Sequence, residues 1–213
     1  GVEVGRDITL DQLREEGFKA FYVAIGCQGG RTAGVPGEDA AGIQTAVALL
    51  RTVGGDESHK MTGKTVVIGG GNVAIDAARV ALRCGSSDVT MVCLEPREKM
   101  PASAEEIAEA EEEGTAIRCG YGPKEFLTKD GHVCGVVLKR CTGLYDAEGR
   151  FAPTYDESVT ITLPCDNVVL SIGQCIQWGN LLDGEAVQLG RGQGAVADAM
   201  TYQTAQSDIF VGG

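Results

Sequence analysis

The sequence has eight cysteines, but no two stand in a Cys-x-x-Cys pair. That absence counts against zinc, iron–sulfur ligation and a thioredoxin-like dithiol within these 213 residues. Histidine is scarce. His59 and His132 are isolated from each other and read as surface residues, so no metal site is assigned. Basic charge is in short supply: 18 Lys and Arg face 30 Asp and Glu, a net charge of −12. A nucleic-acid partner needs a basic patch to displace counterions, and an anionic membrane attracts basic segments, so neither is expected. Long apolar runs are missing too. Stretches such as Ala46–Leu50 and Val66–Ile68 fall far short of the roughly 20 residues of a spanning helix. No signal-peptide pattern stands at the start, and cysteines spaced like these suit a reduced, cytoplasmic setting. No Ser-His-Asp or Cys-His set is visible, and the scattered acids form no defined pair, so no catalytic residue is assigned.

What the chain has in excess is glycine, 31 of 213 residues, about twice the usual share. Many glycines in a chain of ordinary composition point to tight turns and close backbone approach. The length suits one domain, or one domain with pieces of another.

Phe21–Ile25 reads as a short buried strand closed by Gly26, and Gly42–Val53 as a helix stopped by Gly54-Gly55. Thr65–Ile68 is a second buried strand. Three glycines follow, then a helix with Val73, Ala77, Val80, Ala81 and Cys84 on its inner face and Gly85 as its C-cap glycine. Val89–Leu94 is the next strand, which completes a parallel βαβ unit. Ser103 and Glu106 form a capping box that opens a helix ending near Gly114, and its tail Glu111-Glu112-Glu113 reads as a solvated face. The pattern then changes. Lys124–Thr128, an Asp130-Gly131 turn and Val133–Lys139 read as a hairpin. Val159, Ile161 and Leu163 mark a third strand, and Leu144–Tyr155 reads as a polar loop. Val168–Ser171 returns to a buried strand.

The motif that carries chemistry is Gly69-Gly70-Gly71-Asn72-Val73-Ala74, a G-x-G-x-x-A set between a strand and a helix. Gly69 permits the tight turn, Gly71 lets a pyrophosphate approach the backbone, and Ala74 lets helix and strand pack closely. The helix start offers free N–H groups to the phosphates. A ribose reader belongs at the end of the next strand. Glu95 stands there, where a carboxylate accepts from ribose hydroxyls and repels a 2′-phosphate. Arg97 and Lys99 follow, and either could pair with such a phosphate.

These residues carry a resemblance. Val66–Arg79 (VVIGGGNVAIDAAR) followed by Met100–Ile107 (MPASAEEI) resembles the NAD(P)H-binding domain of the glutamate synthase small-subunit family. These are FAD-dependent pyridine nucleotide oxidoreductases, similar also to the flavin part of dihydropyrimidine dehydrogenase. The similarity runs nearly end to end. Asp7–Leu13 with Ala20–Gly37 is similar to the stretch leaving the FAD domain, Val169–Gln174 to the crossing back, and Thr204–Gly213 to the second FAD motif.

The resemblance implies an α/β fold, a Rossmann-like parallel sheet with a three-stranded antiparallel meander, Lys124 to Leu163, as its crossover. It implies a cytoplasmic flavoprotein oxidoreductase in which NAD(P)H passes a hydride to FAD, with electrons passed on to iron–sulfur clusters or a partner subunit. Residues 1–37 and 176–213 are expected to be remnants of the FAD domain, and 38–175 the NAD(P)H-binding domain. FAD and the clusters then belong to the intact protein only. The expected partners are the dinucleotide, the remaining FAD domain of the parent chain and an electron-accepting subunit, and this piece alone is expected to be inactive.

Matched residue by residue, the resemblance marks Gly69, Gly70, Gly71, Asn72, Val73, Ala74 and Asp76 as cofactor-binding, although Asp76 reads equally as a first-turn acid favoured by the helix dipole. Ser171, Ile172 and Gly173 match a loop near the nicotinamide end. The family's basic run at the second strand's end is replaced by Cys93, Leu94 and Glu95, while Arg97 matches a basic position. That departure tips the expectation slightly from NADP(H) toward NAD(H). The rival function is a non-catalytic NAD(H)-binding or sensing module. A thioredoxin-reductase-type activity is disfavoured by the missing Cys-x-x-Cys pair.

Overall fold

The computed structural model describes residues 1–212. They fall into two compact units, one made of residues 1–29 and 174–212, the other of residues 30–173. Among the described residues no helix is long and apolar enough to cross a membrane.

In the first unit, Leu10–Glu15 is a short helix opened by a complete capping box between Thr9 and Gln12. Phe21–Val23 pairs in parallel with Ile209–Val211. This strand is shorter than the expected Phe21–Ile25, and it is not buried, since Tyr22 is 67% exposed. Its burial follows the alternation of a strand with one packed face. Arg14 ties the unit together, donating to Glu185 at 2.8 Å and to Asp208 at 2.6 Å.

The second unit is a three-layer α/β sandwich. Its parallel sheet is built from β1 (Ile43–Thr45), β2 (Lys64–Ile68), β3 (Asp88–Cys93), β4 (Ala116–Cys119) and a last strand reached after an antiparallel insertion. That insertion is β5 (Tyr121–Lys129), β6 (His132–Tyr145) and β7 (Phe151–Pro164), and the chain then returns through β8 (Asn167–Leu170). The order across the parallel sheet is β1-β8-β2-β3-β4. Its helices are α1 (Ala46–Gly55), α2 (Asn72–Arg83) and α3 (Ala104–Glu112).

Strand alternation explains the layers. Val67, Val89, Met91 and Val169 point into one core with Leu49 of α1, Ile75 and Ala78 of α2, and Ile107 of α3. Val66, Ile68, Val92, Val168 and Leu170 point into a second core with Phe126, Val133, Val136 and Leu138 of the antiparallel sheet. A strand covered on both faces needs apolar residues on both, hence the unbroken VVI and VVL runs. Each fully buried side chain of this kind contributes about 1.5–3 kcal/mol.

Several boundaries depart from the sequence reading. The helix expected from Gly42 begins at Ala46, because Ile43–Thr45 pairs in parallel with Val168–Leu170, and Thr45 then caps α1 by accepting from the Ala48 N–H. The inner face of α2 is Ala74, Ile75, Ala77, Ala78 and Ala81, while Val73 lies 36% exposed at its first turn. Gly85 (φ +107°) closes α2, with its N–H on Leu82 O and the Ser86 N–H on Ala81 O. The capping box of α3 is half made. Ser103 accepts from the Glu106 N–H, whereas the buried Glu106 Oε2 has no partner.

The tail of α3 is not a bare solvated face. Glu109 and Glu113 each take Arg79 at 2.6 Å, and Glu111 takes Arg97. The expected polar loop Leu144–Tyr155 is mostly strand: β6 runs to Tyr145, β7 starts at Phe151, and these two aromatics pair across the ladder. The turn is confined to Asp146–Arg150, where Asp146 Oδ1 accepts from the Glu148 and Arg150 N–H groups. The Asp130-Gly131 hairpin turn is where the sequence places it, with φ of 53° and 80°.

Candidate functional site

The glycine loop joins the carboxyl end of β2 to the amino end of α2. Each glycine does something different. Gly69 has φ +148°, and a Cβ there would strike the Ser171 carbonyl. Its N–H donates to Val92 O at 2.8 Å, while the Ser171 N–H donates to Ile68 O at 2.7 Å, so the loop is pinned to both neighbouring strands. Gly70 is buried, and a Cβ there would lie 2.8 Å from Cys93 Cβ and 3.0 Å from Glu95 Oε2. Gly71 is the helix N-cap, in extended conformation (φ −94°, ψ 175°), and nothing lies within 4 Å of where its Cβ would be. The open space at Gly71 faces the first turn of α2, whose leading N–H groups lack intrahelical partners.

A cleft of about 660 Å³ runs past this loop within the second unit. One wall is Gly69–Gly71 with Glu95, Ser171 and Ile172. Thr32–Val35 adds a further stretch of wall. That loop, counted in the sequence with residues 1–37, folds in the second unit, where the Arg31 N–H donates to Gly173 O and Glu38 accepts from the Ala33 and Gly34 N–H groups.

The remaining candidates stand outside the cleft lining. Asn72 is exposed, and its side-chain oxygen accepts from the Ser103 N–H, fixing α3 to the start of α2. Ala74 is fully buried against the sheet, the packing role its small size suits. Val73 and Gly173 are exposed. Asp76 is also exposed and sits past the first turn of α2, which contains no acid, so the first-turn reading of Asp76 does not hold. Arg97 forks onto Glu111, at 2.8 and 2.5 Å. That pairing holds the Glu111 carboxyl below the usual carboxylate range and raises Arg97. Burial pushes the Cys93 thiol up, with the neighbouring Cys119 adding to it, so Cys93 is a packing residue and no thiolate.

The opposite wall was missed by the sequence reading. It is supplied by the antiparallel sheet: Tyr121, Pro123, Lys139, Phe151, Pro153 and Tyr155. Lys139 Nζ lies 4.3 Å from the centre of the Tyr155 ring and 2.8 Å from Glu157 Oε1. The signal was present as the alternation Phe151, Pro153, Tyr155, obscured by the small residues Ala152 and Thr154 between them and the polar stretch before them. Among the described residues, no group of three or more His, Cys, Asp or Glu side chains is placed to hold a metal ion.

Comparison with known proteins extends this geometry. The chain is 36% identical over 214 residues to the NADP(+)-dependent formate dehydrogenase subunit beta of Moorella thermoacetica, covering 99% of this chain and 30% of that protein. It is 31% identical over 227 residues to the glutamate synthase [NADPH] small chain of Halomonas elongata, covering 100% of this chain and 48% of that one. It thus spans between about a third and a half of these relatives. Among solved structures, Mycobacterium tuberculosis FprA in complex with NADPH superposes with a TM-score of 0.75 at 21% identity, over 100% of this chain and 61% of that one. At that identity the likeness establishes the fold. The pyridine nucleotide-disulphide oxidoreductase family matches over residues 2–213, and the chain belongs to that family.

Proposed function

We propose that residues 30–173 bind the nicotinamide dinucleotide of a flavoprotein oxidoreductase that passes hydride from NAD(P)H to FAD. The observation that carries this reading is Gly71: a helix N-cap with no side chain and nothing within 4 Å of its missing Cβ, at the carboxyl edge of a parallel sheet. Gly70 and Gly71 with the first turn of α2 hold the pyrophosphate. Glu95, alongside Gly70, accepts from the adenosine ribose hydroxyls. Ser171, Ile172 and Gly173 bound the nicotinamide end, where Gly69 packs under the Ser171 carbonyl. Asn72 and Ala74 act indirectly, by fixing the start of α2, while Val73 and Asp76 border the phosphate end. The nicotinamide supplies the hydride when bound. The chain's own contribution is to bind and orient the dinucleotide.

The two relatives are, by name, NADP(+)- and NADPH-dependent. The residues here favour NAD(H) modestly, because Glu95 lies along the loop and Arg97 is engaged by Glu111. The unit formed by residues 1–29 and 174–212 belongs, in this reading, to an FAD-binding domain, and residues 30–173 form the dinucleotide domain that the sequence bounded at 38–175. Electrons then pass from FAD to iron–sulfur clusters or a partner subunit. In this reading the clusters belong to other parts of the intact protein.

The test is a fluorescence titration of the chain with NADH. Saturable enhancement, competed by ADP-ribose, supports the reading. No saturable binding of NADH or NADPH to the folded chain overturns it.

A further inference from the structure

The antiparallel sheet presents a stripe to the cleft that the dinucleotide fingerprint does not account for. Phe151, Pro153 and Tyr155 occupy alternate positions of β7 and all three line the cleft. Phe151, the first residue of β7, is 60% exposed. It is not loose. The Tyr145 ring meets it edge-on, with centroids 6.1 Å apart and planes at 75°. An edge contact of this kind leaves a face of the Phe151 ring uncovered.

The stripe lies on the adenosine side of the cleft. A Cβ at Gly122 would come within 2.7 Å of Leu94 Cδ2 and 2.9 Å of Tyr155 Cε1, so Leu94 and Tyr155 converge on the same glycine. Leu94 precedes Glu95, the carboxylate beside Gly70. Tyr155 is therefore close to the residue that precedes the ribose reader, and Glu95, Tyr155, Pro153 and Phe151 all line the same cleft. One face of Tyr155 carries the Lys139 ammonium, which Glu157 also holds. Phe151 is the aromatic of the stripe left to meet a planar ring.

We propose that Phe151, backed by Tyr145, is a stacking platform for the adenine of the dinucleotide. The inference rests on the nucleotide reading above and adds to it the base subsite and the sheet that supplies it. A flat aromatic platform without a hydrogen-bond code binds a purine by its π-face, which every base offers. The subsite accordingly takes adenine nucleotides that lack nicotinamide. It gives no purchase to the nicotinamide mononucleotide half.

The experiment is calorimetric titration of wild type, Phe151→Ser and Phe151→Trp with three probes: NADH, ADP-ribose and reduced nicotinamide mononucleotide. Circular dichroism checks that the variants fold. In Phe151→Ser, affinity for NADH and for ADP-ribose should fall by the same factor, roughly five- to fiftyfold, with the mononucleotide unaffected. In Phe151→Trp, ADP-ribose should bind at least as well as in wild type and quench the new indole. Equal ADP-ribose affinity in wild type and Phe151→Ser, or no quenching in Phe151→Trp, overturns the adenine platform alone. An equal loss for the mononucleotide overturns it as well. Failure of wild type to bind any probe overturns the nucleotide reading and this inference together.

Discussion

Arg97, the basic residue nearest the ribose reader in sequence, is forked onto Glu111, with its two terminal nitrogens 2.8 and 2.5 Å from the two carboxylate oxygens. Both side chains are close to half exposed, and exposed pairs of this kind are worth about 0.2–1 kcal/mol. Arg97 is thus parked rather than locked. Glu111→Gln should release it and raise affinity for NADPH relative to NADH by roughly two- to fivefold. Parallel titrations with both nucleotides at low and high salt check this. An unchanged ratio would show that Arg97 does not reach the nucleotide.

Glu95 should act in the opposite sense. Its carboxylate repels a 2′-phosphate and accepts from a ribose diol. Wild type is expected to bind NADH better than NADPH by about tenfold or less. Glu95→Arg should reverse the order, since an arginine forks onto a 2′-phosphate. Calorimetry on the two proteins reads this directly. A wild-type preference for NADPH would move the reader to Arg97 or Lys99.

The glycine loop separates binding from folding. Gly71 has a backbone conformation open to any residue and free space at its Cβ. Gly71→Val should cost about 1 kcal/mol as a poorer N-cap and lower dinucleotide affinity at least about tenfold. Gly69→Ala is the contrast. Its φ of +148° and the Ser171 carbonyl leave no room, so it should destabilise the fold by more than about 1 kcal/mol. Thermal melts alongside titrations distinguish the two. A Gly71→Val protein that is folded and binds normally would remove the pyrophosphate from this loop.

The α2–α3 interface should be acid-sensitive. Arg83 and Arg79 together hold the Glu113 carboxyl below its ordinary value of 4.5. A carboxylate depressed on folding stabilises fully above its unfolded pKa, and that stabilisation is lost as pH falls through the lower folded value. Melting temperature should therefore drop more steeply below about pH 4.5 in wild type than in Glu113→Gln. Parallel slopes for the two proteins would show that the cluster adds nothing measurable.

The βαβ unit was legible because its signals are local. A buried TVVI run, three glycines, an alanine-rich helix and Gly85 each specify their own stretch of backbone. The parts that were misread depend on partners far away in the chain. Ile43–Thr45 is strand because β8, more than 120 positions later, offers it a ladder, so propensity alone extended the helix back to Gly42. Ala116–Cys119 is strand only by pairing with β3, and its four mixed residues carry no periodic signal. Tyr145 and Phe151 turned a polar segment into paired strand, and with it the second wall of the cleft came into view. Of the candidate site residues, Gly69–Gly71, Glu95, Ser171 and Ile172 come together around one cleft. Arg97 does not, because a sequence shows a charge but not the acid that will hold it.

The central claim is that the dinucleotide pyrophosphate rests on Gly70–Val73 at the amino end of α2. Amide nitrogen–proton correlation spectra of the ¹⁵N-labelled chain, recorded with increasing NADH, test it most directly. The account predicts saturable shifts at the amides of Gly70, Gly71, Asn72 and Val73, with smaller ones at Glu95 and Ser171, and their loss in Gly71→Val. Shifts confined to residues outside the cleft, or unmoved loop amides at saturating NADH, would contradict it.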